Sequence, residues 1–152
     1  MKDEPPAMVM QTAVVSVTNL DHSSEFYQRV LSVDEVLRED QIAILGTGES
    51  GSSVLILRES PHSLHPGRSS SGVRSLGWEV STRVKLADIE ETLRNYDAFR
   101  ERRVLDEVPD FEVVIGQDPD RLSLVFAASL TGSRLTATSF NQTSVAMYAI
   151  DT

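Results

Sequence analysis

The segment Gln11–Val36 constrains the fold of this 152-residue chain more than any other stretch. The apolar run Ala13–Val17 predicts a strand, and Thr18-Asn19-Leu20-Asp21 predicts a turn after it. Apolar side chains then recur at helical spacing at Phe26, Tyr27, Val30 and Leu31. A second strand is expected to begin at Val33, so the segment predicts a strand–helix–strand unit.

Alternation within the first strand predicts its two faces. Ala13, Val15 and Val17 share one face, because successive side chains of a strand point to opposite sides. The other face carries Thr12, Val14 and Ser16. We expect the more apolar face to lie under the helix.

The same order of elements recurs about 63 residues later, which predicts two βαβββ modules. The modules are expected at residues 9–58 and 74–128, with helices at 21–31 and 86–98. Strands are predicted at 9–18, 34–39, 41–45, 53–58, 74–83, 103–107, 111–115 and 122–127. Residues 59–73 are rich in Ser, Pro and Gly and predict a linker. Residues 1–8 are expected to form a flexible leader. Residues 129–152 fit an extra strand, an arm that docks on a partner, or a disordered tail.

Composition excludes several classes of function. The chain has no cysteine, so thiol catalysis and cysteine metal sites are excluded. Its net charge of −9 repels phosphates and anionic lipids, so neither nucleic acid nor membrane is an expected partner. No apolar run approaches the roughly 20 residues that span a bilayer. A cytoplasmic location is therefore the expectation.

Three motifs carry a resemblance to a known superfamily. They are Val17-x-x-Leu20-x-x-Ser23-x-x-Phe26-Tyr27-x-x-Val30-Leu31, then Trp78-x-Val80 followed by Leu86-Ala87-Asp88-Ile89, and Gln117-Asp118-Pro119-Asp120 followed by residues 122–126. Together they resemble the vicinal-oxygen-chelate superfamily, which includes glyoxalase I, the bleomycin-resistance proteins and the extradiol dioxygenases. The resemblance covers about residues 9–127.

The resemblance implies an α+β fold in which two βαβββ modules form an open, cup-shaped mixed sheet, with one helix per module outside. It also implies a ligand on the concave face, and a metal held by His, Gln or Glu in many members. The positions that match those ligands here are Thr12, Ser75, Val125, and either Ile56 or Leu57. None of these side chains is a good ligand for a divalent ion. We therefore expect neither a metal nor another cofactor.

The predicted site consists of the residues expected on the concave face: Thr12, Ser16, Arg58, Ser75, Glu79, Ser123 and Val125. A mixture of hydroxyl and aliphatic side chains suits an amphipathic organic ligand, and equally suits a filled core. Glu79 is the candidate catalytic residue, because a carboxylate there either pairs with a base or is desolvated and able to abstract a proton. Arg58 and Arg83 are its candidate partners, and a rim ion pair without chemistry is the alternative.

The remaining candidates have ordinary explanations as well as functional ones. His62 and His65 fit exposed loop positions, or a metal pair if Glu59 supplies a third ligand. His22 fits a solvated helix start or a proton donor at the mouth of the cup. Trp78 fits a core position or a stacking platform. Asp118 and Asp120 fit a turn.

These observations lead to one functional hypothesis and three alternatives. The protein is expected to bind a small organic molecule without a metal, similar to the bleomycin-resistance branch, and to form a homodimer. The first alternative is a metal-free lyase or isomerase with Glu79 as general base. The second is a metal-dependent dioxygenase or glyoxalase with atypical ligands. The third is a remnant whose cup is plugged.

Overall fold

The computed structural model describes residues 10–47, 54–60, 73, 75–105 and 108–132. The chain divides into two units, residues 1–65 and 66–152. The boundary between them falls inside the segment predicted as a linker. Each unit is described separately below.

Unit 1 is a four-stranded mixed sheet with one helix. Its elements are β1 (Thr12–Val17), α1 (Leu20–Leu31), β2 (Asp34–Glu39), β3 (Ile42–Gly46) and β4 (Val54–Glu59). The strand order is β1-β4-β3-β2; β1 runs parallel to β4, and the other neighbours are antiparallel.

Unit 2 repeats this topology. Its elements are β5 (Ser75–Val80), α2 (Arg83–Asn95), β6 (Phe99–Leu105), β7 (Val108–Gln117) and β8 (Ser123–Ser129). The strand order is β5-β8-β7-β6, and β5 runs parallel to β8. The α+β class and the two βαβββ modules predicted from the sequence are therefore confirmed.

Helix α1 begins at Leu20 because two side chains satisfy its first N–H groups. The Asn19 Oδ1 atom accepts a hydrogen bond from the His22 backbone N–H at 3.0 Å, so Asn19 is the N-cap. The Glu59 Oε2 atom accepts one from the Leu20 N–H at 2.9 Å. Glu59 is thus the last residue of β4 and supports the helix; it is not the start of the linker. The helix ends at Ser32, which adopts the left-handed conformation with φ 54°.

Several boundaries in unit 2 differ from the sequence prediction, most of all those of α2 and β6. Helix α2 begins at Arg83, three residues before the predicted start, because the Thr82 hydroxyl accepts a hydrogen bond from the Lys85 N–H at 3.1 Å. It ends at Asn95. The chain reverses there with Asp97 at φ 59°, and β6 begins at Phe99 instead of residue 103.

Each sheet has one face under its helix and one face without a helix. In β1, Val17 is buried on the face under α1, whereas Thr12, Val14 and Ser16 are exposed on the other. The predicted alternation of this strand is therefore confirmed. We call the side of each sheet that is not covered by its own helix the helix-free face. In unit 2 the alternation of β5 places Val80 under α2 and Glu79 on the helix-free face.

Gly116 marks the closest approach of the α2–β6 connection to β7. A Cβ atom at this position would lie 2.8 Å from the Ala98 carbonyl oxygen and 3.0 Å from both Leu93 methyl groups. The Ala98 oxygen cannot move freely, because it accepts a hydrogen bond from the Gln117 N–H at 2.9 Å.

We therefore expect Gly116→Ala to lower the free energy of unfolding by about 1–2 kcal/mol, because overpacking outweighs the gain from a less flexible unfolded chain. Urea denaturation followed by circular dichroism measures this change. Gly132→Ala is the contrasting variant: nothing lies within 4 Å of a Cβ there, so its loss of stability comes from the φ of +84° and not from overpacking. If Gly116→Ala is as stable as the wild type, the connection between α2 and β6 moves enough to accommodate the added methyl group.

In the part of the chain that the structure describes, no helix is both long and apolar enough to cross a bilayer.

Candidate ligand-binding faces

Strand pairing brings three of the predicted site residues together on the helix-free face of unit 1. Ser16 and Arg58 are direct partners in the parallel β1–β4 pair, and Thr12 lies on the same face of β1, where it pairs with Val54. Thr12, Ser16 and Arg58 are all exposed. This part of the predicted site is a contiguous surface.

An apolar row crosses the middle of the same face. Val14 pairs with Ile56, Ile56 with Ile44, and Ile44 with Leu37, so one aliphatic side chain comes from each of the four strands. Val14 is 60% exposed and Leu37 is 44% exposed at the two edges, and the two isoleucines between them are half-buried. We call these four residues the apolar row. Solvent therefore reaches an apolar strip that spans the whole sheet.

A row of mixed polarity lies next to it. Ser16 pairs with Arg58, Arg58 with Ile42, and Ile42 with Glu39. Arg58 and Glu39 are exposed, and neither makes a hydrogen bond or an ion pair through its side chain with another described residue. Two strand spacings separate their Cα atoms by about 10 Å. The face thus carries a cation and an anion that do not neutralise each other.

The other predicted residues lie together on the helix-free face of unit 2. Ser75 pairs with Ser123, Gly77 with Val125, and Glu79 with Ala127. Val125 is 5% exposed and Ala127 is 3% exposed, whereas Glu79 is exposed. The seven predicted residues therefore form two sets, one on each unit.

Neither environment proposed for Glu79 is found among the described residues. Its carboxylate is exposed and has no ion-pair partner there. The Nε atom of Arg83 donates instead to Glu112 Oε2 at 3.1 Å, and Glu112 lies on the side of the sheet under α2. Arg83 is thus engaged on the opposite side of the sheet from Glu79. A catalytic role for Glu79 stays a prediction.

Glu112 is a partly buried carboxylate of unit 2 with two arginine partners. Its Oε1 atom accepts a hydrogen bond from Arg102 Nε at 2.6 Å, and that bond together with Arg83 lowers the pKa of Glu112 against the opposing effect of burial. The same hydrogen bond raises the pKa of Arg102. Arg102 also reaches Glu90 Oε1 at 3.3 Å, and Glu90 Oε2 pairs with Arg94 at 3.2 Å. This network joins α2 to β6 and β7, and it lies under the helix, away from the candidate ligand face.

The four positions that the resemblance matches to metal ligands carry hydroxyl and aliphatic side chains. Thr12 and Ser75 begin the equivalent strands β1 and β5, and Ile56 and Val125 are equivalent in β4 and β8. Leu57 points to the helix side and is fully buried, so Ile56 is the matching position. Two hydroxyls and two aliphatic groups cannot replace imidazole or carboxylate ligands. The described residues also contain no group of three or more His, Asp or Glu able to hold a metal ion.

The remaining candidates are placed as follows. Trp78 stacks on buried Phe126 with ring centroids 5.1 Å apart and an angle of 12°, which makes it a packing residue under α2. Asp118 is buried, and its Oδ1 atom accepts hydrogen bonds from the Asp120 and Leu122 N–H groups at 2.9 and 2.8 Å, so the turn interpretation is confirmed. His22 is exposed at the start of α1. His62 and His65 lie outside the described residues.

Sequence reasoning missed Glu39 and three members of the apolar row, Ile44, Leu37 and Val14. Alternation in β3 indicates the face of Ile44 correctly. The register shift between Glu35 and Leu37 makes the simple alternation of β2 misleading, however, because it moves Leu37 onto the helix-free face. That irregularity has no clear signal in the sequence.

Several solved structures have the same fold as this chain. A glyoxylase/bleomycin resistance protein/dioxygenase domain from Frankia sp. EAN1pec has a TM-score of 0.66 at 22% identity, covering 85% of this chain and 96% of that one. A lactoylglutathione lyase from Agrobacterium tumefaciens has a TM-score of 0.59 at 15% identity, covering 82% and 96%. A glyoxalase/bleomycin resistance protein/dioxygenase family enzyme from Burkholderia phytofirmans PsJN has a TM-score of 0.61 at 15% identity, covering 80% and 98%. No protein-family profile and no curated protein sequence matches the chain.

The chain therefore has the glyoxalase/bleomycin resistance/dioxygenase fold, which is the fold that the sequence resemblance implied. At such low identity the likeness establishes the fold and not the reaction.

Proposed function

We propose that the protein binds a small organic molecule through its helix-free sheet faces and does so without a metal. The observation that carries the proposal is the chemistry of Thr12, Ser75, Ile56 and Val125, none of which is a nitrogen or carboxylate ligand. The sequence resemblance matches these positions to the metal ligands of the superfamily's metal-dependent members. An exposed apolar row lies beside Arg58 and Glu39, whose side chains have no partner within the described part of the chain, and together they supply the surface that such a ligand needs.

The alternative of a metal-free lyase or isomerase has less support. A general base works best when its surroundings tune its proton affinity. Glu79 is exposed and lacks a basic partner among the described residues. Binding is therefore the function that the described side chains favour, and a homodimer is part of the same proposal.

The test is to purify the full chain and analyse it for both metal and small molecules. We expect elemental mass spectrometry to find only substoichiometric metal, and a screen of small organic molecules to find at least one that raises the melting temperature. That increase should persist in the presence of a chelator. Stoichiometric zinc, iron, manganese or nickel, or stabilisation that the chelator abolishes, would contradict the proposal. Sedimentation of the same sample measures the oligomeric state.

A further inference from the structure

The helix-free face of unit 1 has a polarity that selects among small molecules. Its centre is the apolar row Val14–Ile56–Ile44–Leu37, which spans four strands or about 14 Å. Arg58 lies in the neighbouring row, on the same strand as Ile56. Its guanidinium is the one exposed cation of this face among the described residues.

An arginine that has no side-chain partner among the described residues, next to an apolar strip, matches an acid with an apolar body. The guanidinium can bind a carboxylate through two parallel hydrogen bonds. The Ser16 hydroxyl, on the strand position directly paired with Arg58, can donate a further one. The apolar body would then cover Val14 and the two isoleucines, which solvent now reaches.

Glu39 limits the charge that the ligand can carry. It lies on the same face about 10 Å from Arg58, two strands away. A second acid group that extended along this row would meet the Glu39 carboxylate, and like charges repel. One acid group is therefore favoured over two.

We propose that this face binds organic monocarboxylates with an apolar body, with Arg58 holding the carboxylate and the apolar row holding the body. The inference rests on the proposed function and names the ligand class for it. The chain's net charge of −9 works against anions in general. The selectivity therefore has to come from Arg58 at short range.

The experiment is a methyl NMR titration of the full chain, labelled at Ile, Leu and Val, with four probes of equal carbon number. They are hexanoate, hexanamide, hexylamine and adipate. We expect hexanoate to shift the methyl signals of Val14, Ile44 and Ile56 at lower concentration than the other three probes. Loss of a charged hydrogen bond corresponds to about tenfold in affinity. The Arg58→Gln variant should therefore bind hexanoate about tenfold more weakly than the wild type does, and no more tightly than it binds hexanamide.

Matched variants control for net charge and for surface valines. Arg29→Gln removes the same charge from the exposed surface of α1, where Arg29 pairs only with Glu25 among the described residues, and it should leave the hexanoate titration unchanged. Val14→Asn should weaken hexanoate binding several-fold, whereas Val84→Asn, at a valine that is 74% exposed on α2, should not.

Three results would overturn the inference. If hexanamide binds as tightly as hexanoate and Arg58→Gln changes nothing, the ligand class is wrong although the face still binds small molecules, so the proposed function stands. The inference is also wrong if no probe shifts the methyl signals of the apolar row. It is wrong as well if those signals change when only the protein concentration is raised and sedimentation shows a dimer at the same concentrations, because the face is then covered by a second copy of the chain. The metal and small-molecule analysis then decides the proposed function separately.

Discussion

Phe126→Ala is expected to lower the free energy of unfolding by about 3–5 kcal/mol. Phe126 is 1% exposed in the central strand β8, its neighbour Val114 in β7 is fully buried, and its ring stacks on Trp78 in β5. Removing the ring leaves a cavity that three strands line, and it also removes an aromatic contact of about 0.5–1.5 kcal/mol. Since small domains have total stabilities of about 5–15 kcal/mol, this loss is a large fraction of the stability of the protein.

Urea denaturation measures this effect by two signals. Trp78 is the only tryptophan of the chain, so its fluorescence reports directly on the stack, and circular dichroism reports on the whole fold. Phe126→Leu keeps most of the volume and should lose less than about 1.5 kcal/mol. Val84→Ala on the exposed surface of α2 should remain within about 0.5 kcal/mol of the wild type. A Phe126→Ala variant as stable as Phe126→Leu would mean that the core closes over the cavity.

Glu112→Gln is expected to lower the free energy of unfolding by about 2 kcal/mol at neutral pH. The side chain is only 13% exposed and accepts hydrogen bonds from both Arg102 and Arg83. Hydrogen bonds to charged groups contribute about 1.5–3 kcal/mol, and the amide leaves the partly buried Arg102 without its main counter-charge. Glu91→Gln makes the same change in charge at an exposed position of α2 and should remain within about 0.5 kcal/mol of the wild type.

The cost of Glu112→Gln should depend on pH in one direction. Arg102 holds the pKa of Glu112 below its value in the unfolded chain, which is about 4.3. A carboxylate whose pKa is lower in the folded state stabilises the protein above the unfolded-state value, and this contribution is lost as the pH falls through the folded-state pKa. The difference between wild type and Glu112→Gln should therefore be full at pH 7 and shrink on acidification below about pH 4. Urea denaturation of the two proteins at pH 7 and below about pH 4 measures this difference. A difference that does not change with pH would contradict the proposed stabilisation of the Glu112 carboxylate by Arg102.

Local patterns predicted the elements that have one apolar face. The sequence places β2 at Asp34–Glu39, as observed, and it separates the two faces of β1 correctly. It misplaces the start of α2 because Arg83, Val84 and Lys85 are held in the helix by the Thr82 cap and have no apolar periodicity. It misplaces the start of β6 because that stretch is charged and gains its strand conformation from pairing with β7.

The candidate site was also predicted only in part, but the reason is not the one that applies to α2 and β6. Single residues such as Ser16 and Arg58 follow from alternation along their own strands. The apolar row does not, because it depends on the register of three strand pairs and on the irregularity in β2. These are properties of pairing between distant segments, and no local pattern in the chain specifies them.

The two units use one topology to present different chemistry. Where unit 1 pairs a hydroxyl with a guanidinium, at Ser16 and Arg58, the equivalent pair of unit 2 is a carboxylate and a methyl group, at Glu79 and Ala127. The side chains that pack against the two helices are mostly aliphatic or aromatic in both units. Substitutions on one sheet can therefore change the surface that this unit presents while the other unit and both interiors keep their composition. A duplicated topology can in this way carry two chemically different surfaces.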